Sequence, residues 1–334
     1  MNDLHKTIEK IFRQKTVVIV GDLVADQFLN GTISRVSREA PVFILRHDST
    51  QTLPGAGANA AANVASLGGK PLLIGCVGTD PNGDLLLDSL KDLAVDTQYI
   101  TRGPEVSTTT KIRVLAGQHY AARQQVIRID YEAEPLISDN LKQRLRQNLA
   151  SACETADAII LSDYNYGVVF SEIFEDALII ARSRAIPLIV DSRLGLTDFQ
   201  GATSATPNSD EVEQILGKNF TPEDCSRLRE QLGFEALIVT NGNQGMTLFE
   251  KDQAPLKIDA VGSSEPVDVT GAGDTVIAAY ALGLASGLGF ADAARVANHA
   301  GGIVVMKKGT ASATTNEVLE SIADEGTLAS THAK

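Results

Sequence analysis

An α/β fold, with a parallel sheet covered by helices on both faces, is the class this sequence predicts, and three observations predict it. Apolar, β-branched runs recur at Thr16–Val20, Leu72–Cys76, Ala158–Leu161, Ile186–Val190 and Leu237–Thr240. They are short and unbroken by polar alternation, the pattern of strands buried on both faces. Helix-length segments separate them, and strands alternating with helices make a parallel sheet. Small and polar residues then follow the runs, at Gly21-Asp22, Ser162-Asp163, Asp191 and Thr240-Asn241-Gly242. Ligands of such sheets bind beyond the strands' carboxyl ends.

Two stretches break the rhythm, at about 27–50 and 106–131. Pro41–Arg46, Thr109–Val114 and Gln125–Asp130 alternate in the manner of half-exposed strands. They predict a small β-sheet lid, inserted from two places and folded over the core. Such a lid excludes water during transfer chemistry, or serves as a dimer surface. The expected organisation is one domain over residues 1–320, followed by a frayed tail at 321–334.

Of the 334 residues, 43% are hydrophobic and 21% charged, the balance of an ordinary globular protein. A formal charge of −13 argues against nucleic acid, whose binding rests on many lysines and arginines. Cys76, Cys153 and Cys225 are odd in number and widely spaced, which fits a reducing cytoplasm better than a disulfide framework. Residues 1–15 are broken by charges and carry no export signal. The uncharged run Thr275–Ala291 is rich in Ala and Gly and opens from a polar turn, so it reads as a core helix rather than a membrane span. The five histidines lack ligand spacing, and no Gly-x-x-x-x-Gly-Lys-Ser/Thr loop occurs.

The segment Asp268-Val269-Thr270-Gly271-Ala272-Gly273-Asp274 precedes an apolar helical stretch. Glycines at a helix N-terminus present unpaired N–H groups and the positive end of the dipole to an anion. Asp274 would sit in the first turn, where the dipole favours its ionised form and keeps it a weak base, suited to late proton acceptance in phosphoryl transfer. Taken alone, the same residues also describe a helix cap with a dipole-complementing acid.

The wider pattern decides between these. Val267–Thr275 resembles the signature of the ribokinase-like, or PfkB, carbohydrate kinases, and the resemblance spans nearly the full chain. Gly21-Asp22 with Asp26 resembles the family's first sugar-binding acids. Pro54-Gly55-Ala56-Gly57-Ala58-Asn59 resembles its second glycine-rich signature, and Asn208 with Glu211 its Asn-x-x-Glu motif. Thr240, Gly242 and Gly245 resemble its nucleotide-side loop, and Asn298 with Lys308-Gly309-Thr310 the far wall of its adenine pocket. The resemblance implies a ribokinase-like, Rossmann-type sheet and an ATP-dependent sugar kinase. Asp274 would be the base, and the Gly271, Ala272 and Gly273 amides would hold the phosphoryl group. ATP would lie among Asn208, Glu211, Thr240, Gly242, Gly245 and Asn298. Mg²⁺ would be held through water near Glu211, and K⁺ by Asp268 and Thr270. Sugar would meet Asp22, Asp26, Gly55, Ala56, Gly57 and Asn59.

Within the family, Ser34–Val42, Thr110–Val114, Gln125–Asp130 and Leu161–Tyr164 with Gly167 resemble the kinases of heptose 7-phosphate in the lipopolysaccharide precursor pathway. A phosphorylated substrate in an acidic protein demands local cations. Arg35, Arg38, Lys111, Arg113, Arg128 and Arg193 are candidates, with Lys111 and Arg113 on one strand face and Asp163 nearby. The chain departs from that group in having Gly55-Ala56 for paired glycines and Ser-Arg-Leu-Gly after Asp191 for Pro-Lys-Gly. The expected partners are a sugar or sugar phosphate and a second copy joined through the lid. The nucleotidyltransferase step of the pathway is expected on a separate protein.

Overall fold

The computed structural model describes residues 2–118, 123–132, 138–263 and 265–332; residues 119–122 of the second lid stretch lie outside it. After a short α1 (Asn2–Lys6), the large sheet is built from β1 (Thr16–Gly21), β4 (Lys70–Gly78), β5 (Ile100–Gly103), β8 (Ala158–Asp163), β9 (Leu188–Ser192), β10 (Ser204–Ala205), β11 (Ala236–Thr240), β12 (Met246–Glu250) and β13 (Leu256–Ile258). Its order is β13-β12-β11-β10-β9-β8-β1-β4-β5. All pairings are parallel except those of β12, which runs antiparallel to both neighbours at one edge.

Strict side-chain alternation in β1 divides the core in two. Val17 and Ile19 join one buried cluster with α2 (Gly57–Ser66), α8 (Ala272–Ala285) and α9 (Phe290–Val304). Val18 and Val20 join the other, with α4 (Asp139–Ala152) and α5 (Ser171–Arg184). Helices therefore cover both faces, which is why the strands read as unbroken apolar runs. The uncharged run from Thr275 supplies α8, and no helix among the described residues is long and apolar enough to cross a membrane.

β2 (Leu23–Val36) and β3 (Phe43–Ala56) form the small sheet with β6 (Thr109–Gly117) and β7 (Gln124–Tyr131), in the order β3-β2-β6-β7. β2 pairs antiparallel with β3 and parallel with β6, a register possible because the two stretches arrive from different parts of the chain. β7 is exposed along its length. Beyond residue 320, where a frayed tail was expected, the chain continues as α10 (Thr315–His332). Ile322 is buried, and Ser321 and Glu325 both bond His299, so apolar burial and a side-chain contact hold the first turn past 320 in place.

The sheet order reverses at β1, which has β4 on one side and β8 on the other. Here the Asp22 amide donates to the Ser162 carbonyl at 3.1 Å, and the loop after β8 (163–168) reaches over the end of β1.

Candidate active site

Gly271 caps α8 with φ +78°, a left-handed conformation that glycine adopts without strain. A Cβ there would also lie 2.4 Å from the Asn59 amide nitrogen. The N–H groups of Gly271, Gly273 and Asp274 find no acceptor among the described residues, and Gly273 is exposed. The turn thus offers an anion a set of free donors at a helix start. Asp268 braces it from below, accepting from the Thr270 and Gly309 amides at 3.0 Å each. Burial pushes its carboxyl up, but those bonds outweigh the burial and hold it below the usual carboxylate range. A charged carboxylate with one lone pair left on each oxygen fits a monovalent cation beside the turn.

Asp274 is buried at 2% exposure in the first turn of α8. Asn59 donates to its Oδ2 and the Tyr164 hydroxyl to its Oδ1, each at 2.9 Å. The sequence expectation of an ordinary weak base, kept ionised by the dipole, is corrected here. Burial raises the carboxyl to about 7 despite both bonds; Asp26 adds to the rise and Arg193 opposes it. A carboxyl poised there is a better proton acceptor near neutral pH than an unperturbed one.

Sequence reasoning missed two residues of this network. Asn63, one turn beyond Asn59 on α2, donates to the Asn59 side-chain and main-chain oxygens and accepts from Thr275 Oγ1 at 3.0 Å. Two asparagines four apart on an Ala- and Val-rich helix share a face, a signal that was available. Tyr164 had been read only as part of a subgroup motif, and nothing local announces its reach to a carboxylate 110 positions away.

Among the residues expected to meet sugar, β2 and β6 bring Asp26 and Arg113 into a buried ion pair of 2.5 Å. Gly55 lies directly against it, since a Cβ there would come within 2.6 Å of Asp26 Oδ2. Burial raises the Asp26 carboxyl, and Arg113 pulls it back. Lys111 is committed to Asp130 and Glu132, at 3.0 and 2.6 Å, and Arg128 to Asp130 at 2.8 Å. Arg193 differs. Its guanidinium stacks 4.8 Å above the Tyr164 ring and makes no ion pair or hydrogen bond with any described residue.

Two carboxylates expected at the sugar are occupied otherwise. Asp22 accepts the backbone N–H groups of Tyr164, Tyr166 and Val168 at 2.9 to 3.1 Å. Burial drives its carboxyl up to about 6 against those three bonds. Asp163 accepts from the Asn165 amide at 3.0 Å and the Ser192 hydroxyl at 2.7 Å, joining the loops after β8 and β9. Both therefore shape the loop over the site from inside. The Gly57 amide donates to the Asp22 carbonyl at 3.0 Å. Ala56 precedes it with φ +55° and ψ −134°, a conformation costly for any residue with a Cβ.

A slot of about 180 Å³ gathers Thr240, Gly242, Gly245 and Asn298, with Val261, Val276 and Val305 as apolar walls and Ala272 and Gly273 at the anion turn. An apolar slot opening onto free amides suits a flat base with a phosphate tail. Asn298 donates to the Asp259 carbonyl at 2.8 Å, holding one wall. Lys308-Gly309-Thr310, expected beside Asn298, is elsewhere: Gly309 donates to Asp268 and packs against Phe28 and Leu53 of the small sheet. Asn208 and Glu211 line a separate cleft of about 660 Å³, with Tyr164, Tyr166, Arg193 and Asp210, linked to the slot through a β-bridge between Asn208 and Thr240. They form a reciprocal capping box at the start of α6 (Ser209–Leu216), in which Glu211 Oε2 accepts the Asn208 amide at 2.9 Å. Oε1 is free among the described residues. One spare oxygen in a wide cleft fits Mg²⁺ held mainly through water, and no cluster of three or more acidic, His or Cys side chains suited to a metal occurs among the described residues.

Comparison with known proteins agrees with this geometry. The chain is 36% identical over 320 residues to the bifunctional protein HldE of Gluconobacter oxydans, covering 94% of this chain and 66% of that protein. It is 38% identical over 308 residues to HldE of Chromohalobacter salexigens, covering 90% and 62%. The chain thus spans slightly under two thirds of the length of these relatives. Among solved structures, Arabidopsis thaliana ribokinase complexed with ribose and ATP superposes with a TM-score of 0.68 at 22% identity, over 92% of this chain and 98% of that one. Phosphofructokinase-2 of Escherichia coli in complex with potassium gives 0.72 at 18% identity, over 92% and 98%. These two likenesses establish a ribokinase-like fold. The sequence profile of the pfkB family carbohydrate kinases matches residues 14–317, and this chain belongs to that family of ATP-dependent sugar kinases.

Proposed function

We propose that the chain transfers the γ-phosphoryl group of ATP to the anomeric hydroxyl of a heptose 7-phosphate. ATP occupies the apolar slot, with its γ-phosphate at the free amides of Gly273 and Asp274. The acceptor hydroxyl gives its proton to Asp274 as its oxygen bonds to phosphorus, and the bridging P–O bond breaks to release ADP. Mg²⁺, held through water at Glu211, supplies charge neutralisation on the phosphates. Asp26 and the backbone at Gly55 orient the sugar.

The observation that carries the heptose phosphate reading is the free guanidinium of Arg193 in the cleft beside Asp274 and Tyr164. In a chain of formal charge −13, a guanidinium that forms no ion pair among the described residues, in the cleft that also holds Asn208 and Glu211, is available to a phosphate. The HldE relatives and the subgroup motifs that build the small sheet and the 163–168 loop support the same reading. The exposed Val42, Phe43, Ile127, Ile129 and Tyr131 on the small sheet favour a homodimer there, and three unpaired cysteines suit the cytoplasm.

ADP release against a panel of sugars and sugar phosphates tests it. Heptose 7-phosphate is expected to exceed hexoses and ribose, and Arg193→Gln to raise its KM by about 10- to 100-fold. Preference for an unphosphorylated sugar, with Arg193→Gln neutral, would sink the reading.

A further inference from the structure

We propose that Tyr164 is a positioning residue for phosphoryl transfer, its hydroxyl fixing the Asp274 carboxyl, and that Asp22 holds Tyr164 in place. The inference rests on Asp274 being the proton acceptor, and it extends that reading to a side chain that acts through Asp274.

Three observations converge on it. The Tyr164 hydroxyl is a donor to Asp274 Oδ1 at 2.9 Å while Asn59 holds Oδ2 at the same distance. With one donor on each oxygen, the carboxyl group cannot rotate, and one lone pair on each oxygen is left for an incoming hydroxyl. The loop that carries Tyr164 is then anchored from its other side. Asp22 takes three of its amides, at Tyr164, Tyr166 and Val168. A buried carboxylate spent entirely on one loop is a costly device unless the position of that loop matters. Finally, Arg193 lies on the Tyr164 ring, so the tyrosine is held between Asp274 and the cation of the cleft that also holds Asn208 and Glu211.

The tyrosine also bears on the proton affinity of the base. Asp274 is faced by Asn59 from α2, Asp26 from β2, Tyr164 from the loop after β8, and Asp191 and Arg193 from β9 and the loop following it. Asp26 favours the protonated form, whereas Arg193, Asn59 and Tyr164 favour the charged one, and burial holds Asp191 well above the usual carboxylate range. Tyr164 and Asn59 are the uncharged donors in this set, and Tyr164 can lose its hydroxyl alone while its ring and the charge of the site stay unchanged. Its own proton stays put, because burial and the neighbouring Asp274 hold its hydroxyl well above the ordinary tyrosine range.

The test is the pH profile of kcat/KM for Tyr164→Phe, using the best acceptor from the sugar panel. Losing a donor to the ionised carboxyl should move the acid limb alkaline by about one pH unit. The rate at pH 7 should then fall about fivefold while the rate at pH 9 stays within about threefold of the parent, with the KM for sugar little changed. Asp22→Asn, which offers the loop one acceptor oxygen in place of two, should displace the limb in the same direction by a smaller amount. An unmoved limb with an even loss at every pH, or a loss confined to sugar KM, would overturn the proposal. Asp274→Asn separates the two layers. If that variant keeps turning over, the base assignment fails and Tyr164 falls with it. If it is dead and the Tyr164→Phe limb is unmoved, Tyr164 alone is misassigned.

Discussion

The proposed nucleotide side and the proposed sugar side of this site are built by different means. The first is made of backbone: a helix start with free amides, a glycine at φ +78°, and a slot walled by valines and loop glycines. The second is made of committed side chains. Asp26 is paired with Arg113, Asp22 is spent on a loop, and Asp274 is shared between Asn59 and Tyr164. A backbone site tolerates sequence change so long as φ and close approach are kept, whereas a side-chain site fails when one partner is removed. ATP is common to the whole family and the acceptor is not, so the part that must vary between relatives is the part made of exchangeable side chains.

Asp274 lies on the seam between the two sides, and its replacement should have the largest effect. Asp274→Asn keeps the shape and the helix start but removes the base, so kcat should fall by about 10²- to 10⁴-fold. Nucleotide affinity, which depends on the slot and the amides, should hold within a few-fold by calorimetry. In the parent enzyme, kcat/KM should decline as pH falls below about 7, where burial places the carboxyl. Stability has the opposite sign. The folded carboxyl keeps its proton to higher pH than an unfolded one, so this group costs stability as pH rises from the ordinary carboxylate range toward 7. Asp274→Asn should therefore flatten the thermal stability profile over that interval. A steep residual decline would mean that the other carboxyls raised by burial, Asp22 at about 6 and Asp191, dominate it.

Next in size is the sugar side's own pair. Arg113→Met keeps the bulk of the side chain and leaves Asp26 buried without its partner. Removing one member of a buried pair costs about 3–5 kcal/mol, readable in urea unfolding. Asp26→Asn added to it should recover much of that stability and none of the sugar affinity. If Arg113→Met is nearly neutral, the pair is held by water and the contrast between the two sides is weaker than drawn.

The fold was legible because its strands are buried on both faces and so announce themselves as apolar runs; Thr16–Val20 and Ala158–Leu161 were read to within a residue or two. The three-residue edge strand β13 and the two-residue β10 were not, since two or three residues carry no period. The anion turn was legible as a local motif whose companions lay in order along the chain. What stayed hidden is whatever depends on burial or on contacts across the fold. Nothing in Gly273-Asp274 foretells that desolvation raises the carboxyl despite its two hydrogen bonds, and nothing at Asp22 foretells that its partners are amides over 140 positions away. Glu211 illustrates a third case, in which the bland reading and the functional one hold together. The capping box uses one oxygen and leaves the other facing the cleft.

The smallest expected effect is at the junction of the two sides, where β3 passes into α2 through Ala56. Its φ of +55° and ψ of −134° belong to glycine, and the strain of holding a Cβ there is about 1–3 kcal/mol. Ala56→Gly relieves it but raises the entropy of the unfolded chain by about 0.5–1 kcal/mol and gives up a buried methyl worth about 0.8 kcal/mol. The net expectation is a gain of about 0.5 kcal/mol in urea unfolding, with kcat changed less than about threefold. Ala56 lies between Gly55, which touches Asp26, and Gly57, which bonds the Asp22 carbonyl, so a freer backbone here should be felt first in sugar KM and not in nucleotide affinity. A loss of 1 kcal/mol or more would show that the methyl is packed as core and that the alanine, not the conformation, is what this junction requires.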